Sequence, residues 1–107
     1  MKRVVVVGGG ISGLATAYRL AEGAKAAGLP LALTVLEAES RAGGKIVTER
    51  REGFTVEGGP NGFLDGKPET IRLARDLGLG ERLLGSSDAA RKRFVFRHGA
   101  LHALPES

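Results

Sequence analysis

The chain contains no cysteine, which excludes disulfides, thiolate metal sites and a redox-active thiol, so any redox chemistry has to reside in a bound cofactor. Aromatic residues are scarce, with one tyrosine and four phenylalanines. They do not interleave with the basic residues as a base-stacking platform requires, so nucleic acid is not an expected partner. Long hydrophobic runs are also missing. The dense apolar run at the N-terminus is the four valines Val4 to Val7, which lead straight into glycines. Neither export nor a transmembrane span is indicated, and a cytoplasmic address is the default expectation. The two histidines, His98 and His102, have no carboxylate or further histidine at ligand spacing, so no metal site is expected and both read as ordinary surface residues.

What the chain does have is glycine and positive charge. Its net charge of +4 comes largely from Arg50, Arg51, Arg91, Lys92, Arg93 and Arg97, and reads as a solvated surface. With 107 residues it is one domain at most, long enough for a moderate core.

The glycines are ordered around one stretch, Val4-Val5-Val6-Val7-Gly8-Gly9-Gly10-Ile11-Ser12-Gly13. Four β-branched residues in succession predict a strand buried on both faces. After the glycines, Ile11, Leu14, Ala15 and Tyr18 recur at the spacing of one helical face, and the helix should run to about Ala27, stopped by Gly28 and Pro30. Leu31 to Leu36 forms a second apolar strand, so the start of the chain is a βαβ unit with parallel strands. Gly8, Gly10 and Gly13 fit GxGxxG at the strand-to-helix turn. Gly8 would allow the tight turn, Gly10 would let a diphosphate approach the backbone, and Gly13 would let the helix lie close on the strand. The free N–H groups of Ile11, Ser12 and Gly13 would then face an anion.

Glu37 ends the second strand, where an acid contacts ribose hydroxyls in dinucleotide sites. A carboxylate at this point disfavours the 2′-phosphate of NADP and leaves NAD and FAD open.

The next residues narrow the choice. Glu37-x-x-x-Arg41-x-Gly43-Gly44-Lys45 resembles the superfamily of FAD-containing amine oxidases, phytoene desaturases and protoporphyrinogen oxidases. In physical terms, Gly43 and Gly44 would let backbone pass close to the cofactor, and Arg41 and Lys45 would offer donors to its phosphates. Farther on, Glu57-Gly58-Gly59-Pro60-Asn61-Gly62-Phe63 is similar to the porphyrinogen oxidase branch, and the likeness implies that Gly59 and Pro60 lie against the flavin ring.

The remaining segments read as support. Ile46 to Arg51 and Phe54 to Glu57 form a hairpin around Glu52-Gly53. Pro68-Glu69-Thr70 opens a second helix with Thr70, Leu73, Ala74 and Leu77 on one face, capped by Gly78. Leu79 to Leu84 adds a short helical turn. Arg93 to Arg97 and Ala100 to Leu104 form a second hairpin around His98-Gly99.

The expected class is α/β: the N-terminal part of a Rossmann-like FAD/NAD(P)-binding βαβ domain, with added β-hairpins and a short helical segment. The resemblance covers essentially all of residues 1–107. It implies a fragment, because the relatives continue through a substrate domain and a C-terminal return to the FAD domain. It also implies FAD as cofactor and a porphyrinogen as substrate: protoporphyrinogen IX or coproporphyrinogen III is oxidised to the porphyrin in haem biosynthesis, with oxygen as acceptor. No catalytic residue in this chain is indicated, and peripheral membrane association of the complete protein and its oligomeric state are left open. The alternatives are another FAD enzyme of the amine oxidase or phytoene desaturase type, a stand-alone NAD-binding module, and a non-catalytic domain that has kept the fold.

Overall fold

In the computed structural model, which describes residues 1–105, the first strand β1 spans Lys2–Val7, helix α1 Ile11–Ala26 and strand β2 Leu31–Leu36. The two strands are parallel and in register from Lys2 opposite Leu31 to Val7 opposite Leu36. The Gly8 N–H donates to the Leu36 carbonyl at 2.7 Å, which carries the ladder one residue past the strand.

Helix α1 ends as the glycine at 28 requires. Gly28, at φ +63°, donates its N–H to Lys25, and Leu29 donates to Ala24, the paired contacts of a Schellman motif. The covered face of α1 coincides only in part with the one its spacing suggests. Ile11 and Leu14 are exposed while Ala15 and Tyr18 are half-buried, and burial also falls on Gly13, Ala17 and Ala24, with Ala17 the buried apolar side chain. At Gly13 the helix lies against Val6 and the Gly8 carbonyl, which leaves no room for a side chain there.

The expectation of a strand buried on both faces is also corrected. Val4 and Val6 are half-buried, whereas Val5 is 57% and Val7 82% exposed. α1 is the element that packs on this sheet, so it covers one face and leaves alternate residues open. For the same reason the expected moderate core does not form among the described residues.

Strands β3, Thr48–Arg51, and β4, Phe54–Glu57, form an antiparallel hairpin. β3 starts two residues after the expected Ile46. Residues 1–67 make up one compact unit, and a second begins at Pro68.

The second unit opens with helix α2, Pro68–Asp76, capped through Gly78 and Leu79, which donate to Arg75 and Ala74. Ile71, Leu73 and Ala74 are its half-buried side chains, while Thr70 and Leu77 of the expected face are exposed. Short 3-10 turns follow at Gly80–Arg82 and Asp88–Arg91, the second without a counterpart in the sequence expectations. Strands β5, Phe94–Arg97, and β6, Ala100–Ala103, pair antiparallel around His98-Gly99.

Of the basic residues singled out, Arg50, Arg51, Lys92, Arg93 and Arg97 are exposed, and the side chain of Arg91 lies outside the described residues. No described helix is long and apolar enough to cross a membrane.

Candidate functional site

The site is built at the carboxyl ends of β1 and β2. The turn between β1 and α1 passes through Gly8 at φ +99° and reaches Gly10, the N-cap of the helix, in extended conformation at φ −75° and ψ 179°. No side chain caps α1, and no acid stands in its first turn. The first intrahelical bond runs from Leu14 N–H to Gly10 carbonyl at 3.0 Å. The N–H groups of Ile11, Ser12 and Gly13 therefore precede the helical ladder, at the positive end of the dipole. A side chain at Gly10 would meet nothing within 4 Å, so open space lies over this backbone. A Cβ on Gly13 would run into the Gly8 carbonyl oxygen, which explains why the helix can lie this close.

Glu37 sits where β2 leaves the sheet. Its Oε2 accepts the Gly9 N–H at 2.6 Å and its Oε1 accepts the Glu39 N–H at 2.9 Å. These backbone donors, Glu39 first and Gly9 second, hold the carboxyl below its ordinary pKa, with Arg41 adding a smaller attraction. A carboxylate oxygen can accept more than one hydrogen bond, so both retain capacity for a ribose hydroxyl.

The third component is the loop after Glu37. Gly43 N–H donates to Gly9 carbonyl at 2.8 Å, and Gly10 and Gly43 form an isolated parallel bridge. A Cβ on Gly44 would stand 3.2 Å from Gly10 Cα. Gly43 and Gly44 thus bring their backbone onto the glycine turn itself. Arg41 turns its guanidinium back on its own loop, where Nη2 donates to Gly44 carbonyl at 2.6 Å and Nη1 to Ala42 carbonyl at 3.1 Å. A longer contact joins Nη1 to Ile46 carbonyl at 3.4 Å. The Lys45 side chain is exposed.

Gly59 meets this loop from the other side. A Cβ there would run into the Lys45 carbonyl oxygen, and Gly58 N–H donates to Val47 carbonyl at 2.9 Å. Close packing on Lys45 therefore accounts for glycine at 59, and Pro60 follows, exposed and outside any helix or strand.

The structure thus brings Gly8, Gly10, Ile11, Ser12, Gly13, Glu37, Arg41, Gly43, Gly44, Lys45 and Gly59 into one connected region of residues 1–67. Gly9 was missed by sequence reasoning. It is buried, its N–H holds Glu37, and a Cβ on it would lie 2.8 Å from Glu37 Oε2. The signal was a glycine at the position between Gly8 and Gly10 that GxGxxG leaves free.

Comparison with known proteins places this arrangement in a lineage. The model of the flavin containing amine oxidoreductases matches residues 11–106. The chain belongs to that family. Its membership makes FAD the cofactor, and the uncapped helix, the open space over Gly10 and the Glu37 carboxylate suit such a dinucleotide.

Among similar proteins, the coproporphyrinogen III oxidase of Bacillus subtilis is 41% identical over 105 residues, covering 98% of this chain and 22% of the relative. Protoporphyrinogen oxidase 2, chloroplastic/mitochondrial, of Arabidopsis thaliana is 40% identical over 104 residues, covering 97% of this chain and 19% of the relative. A crystal structure from Exiguobacterium sp. 255-15, described as a candidate protoporphyrinogen oxidase, superposes with a TM-score of 0.77 at 43% identity. It covers 95% of this chain and 21% of that one. The chain spans about a fifth of the length of the relatives it matches.

Proposed function

We propose that residues 1–67 form the Rossmann-like cradle for the ADP half of FAD in an oxidoreductase that oxidises a porphyrinogen, coproporphyrinogen III or protoporphyrinogen IX, to the porphyrin. The observation that carries the cradle is one juxtaposition. The uncapped start of α1 at Gly10, the Glu37 carboxylate held on Gly9 N–H, and the Gly43–Gly44 backbone bridged to Gly10 meet at the ends of two parallel strands. The substrate class is supported by the names of the relatives just described.

In this reading the N–H groups of Ile11, Ser12 and Gly13 bind the diphosphate, Glu37 binds the ribose hydroxyls, and Lys45 offers its ammonium to the phosphates. The Gly59-Pro60 turn lies toward the flavin ring. FAD supplies hydride acceptance from the porphyrinogen, and oxygen is the proposed final acceptor. The chain's own contribution is binding and orientation, so the lack of a general base among these residues is consistent with the chemistry.

Parallel titrations with FAD, NAD and NADP test the cradle, followed by flavin fluorescence and by melting temperature. FAD binding with no response to NADP is expected. A preference for NAD would replace the flavoenzyme reading with a dehydrogenase-type module. Oxidation of coproporphyrinogen III and protoporphyrinogen IX by the full-length, FAD-loaded protein, followed by porphyrin fluorescence, then tests the substrate class.

A further inference from the structure

An arginine beside a dinucleotide site invites assignment to a phosphate, and Arg41 does something else. Its guanidinium reaches the carbonyl oxygens of Ala42, Gly44 and Ile46, alternate residues of one short loop. Carbonyl dipoles converging on one point repel each other unless a cation or several donors stand between them. A planar fork with fixed N–H directions meets that need, and a single ammonium on a flexible stem cannot reach all three oxygens at good angles.

With these carbonyls turned inward, the intervening Gly43 directs its N–H to Gly9 carbonyl at 2.8 Å, and Ile46 N–H closes the turn on Gly43 carbonyl at 3.1 Å. The fork also fills the space beside Gly43, where a Cβ would stand 3.1 Å from Arg41 Nη1 and 3.2 Å from Ile46 carbonyl oxygen. Gly43 is required there in any case by its φ of +115°, and the fork packs against the space its missing side chain leaves.

We infer that Arg41 is a positioning residue that clamps residues 42–46 into the shape that docks Gly43 and Gly44 on the glycine turn, and that it is not a phosphate ligand. The phosphate contacts then fall to the first-turn N–H groups of α1 and to Lys45. The inference about affinity rests on the FAD reading of the site, whereas the inference about the loop does not.

The test compares the wild-type protein with Arg41→Lys and Arg41→Met in two measurements. The first is amide hydrogen exchange without ligand, read at Gly43 and Ile46 and, as a control, along β1 and α1. Both variants should speed exchange at Gly43 and Ile46 by tenfold or more while β1 and α1 keep wild-type protection. The second is the FAD dissociation constant as a function of salt. Both variants should weaken FAD by about tenfold with an unchanged salt slope, because the loss is of shape and not of an ion pair.

Unchanged exchange, rescue by Arg41→Lys, and a shallower salt slope in Arg41→Met would make Arg41 a phosphate ligand and overturn the proposal. Exchange accelerated equally through β1 and α1 would also overturn it, by making Arg41 a general support of the unit. If the wild-type protein takes no FAD, the reading of the site fails, and the exchange measurement still decides the clamp.

Discussion

Glycines in this chain do two different jobs. In residues 1–67 several stand where a side chain would strike something: Gly13 against Gly8, Gly59 against Lys45, Gly44 against Gly10. Gly28 and Gly53 in the same unit, and Gly78 and Gly99 in the second, face open space, and each serves a positive φ, from +63° at Gly28 to +81° at Gly53. The first kind lets separate stretches of backbone touch and so assembles a site. The second kind only lets the chain turn. The difference teaches that glycine content is not evidence of a binding site, whereas glycine pressed against distant backbone is.

The sharpest way to break this contrast is Gly13→Ala. The new methyl has only the Gly8 carbonyl to move against, so α1 must lift from β1, at an overpacking cost of about 3 kcal/mol or more. Urea unfolding should show that loss, and FAD binding should vanish with it. Near-wild-type stability would mean that the close approach is dispensable.

Next in size is Glu37→Ala, which removes the acceptor for the Gly9 and Glu39 N–H groups together with the proposed ribose contact. FAD affinity should fall roughly tenfold to a hundredfold, as for hydrogen bonds to a charged group. An unchanged affinity would make Glu37 a support for the turn alone. Acid should reproduce the effect gradually. The folded pKa of Glu37 is lowered, so its stabilising contribution is complete above the ordinary carboxylate range and is lost as pH falls through the lowered folded value. FAD affinity measured from neutral pH downward should therefore hold through mildly acidic pH and then drop, and Glu37→Gln should flatten that drop.

On the other side of the comparison, Gly78→Ala should cost only about 1 kcal/mol, the strain of placing an L-residue in left-handed backbone with nothing to strike. A cost matching that of Gly13→Ala would erase the distinction.

Much of this was legible in the sequence, for local reasons. GxGxxG between a valine run and an amphipathic segment fixes a strand, turn and helix, and Glu37 follows at the next strand end. Residues Glu52-Gly53 and His98-Gly99 announce their hairpins. What was not legible depends on distance in space. The burial of Gly13 and Ala17 and the exposure of Ile11 and Leu14 depend on how near the sheet lies, and the spacing of Ile11, Leu14, Ala15 and Tyr18 cannot report that. The exposure of Val5 and Val7 depends on what covers the sheet, and a valine run is equally compatible with one covered face or two. The fork of Arg41 on its own loop is a question of side-chain direction, for which charge alone suggests a phosphate.

The smallest effect belongs to the two hairpin turns and refines the second kind of glycine. Glu52 and His98 both sit at φ +51°, followed by Gly53 at φ +81° and Gly99 at φ +76°, so both turns carry positive φ at each central residue, as type I′ turns do. Asparagine tolerates left-handed backbone better than glutamate or histidine does, because its short side chain hydrogen-bonds locally. Glu52→Asn should therefore stabilise the β3–β4 hairpin by about 0.5 kcal/mol or less, with no change in FAD affinity, and His98→Asn should do the same for β5–β6. Slower amide exchange at the strand pairs flanking each turn is the measurement. If Glu52→Asn instead altered FAD binding, the β3–β4 turn would belong with the glycines that assemble the site, and the line between the two kinds would have to be redrawn through the first hairpin.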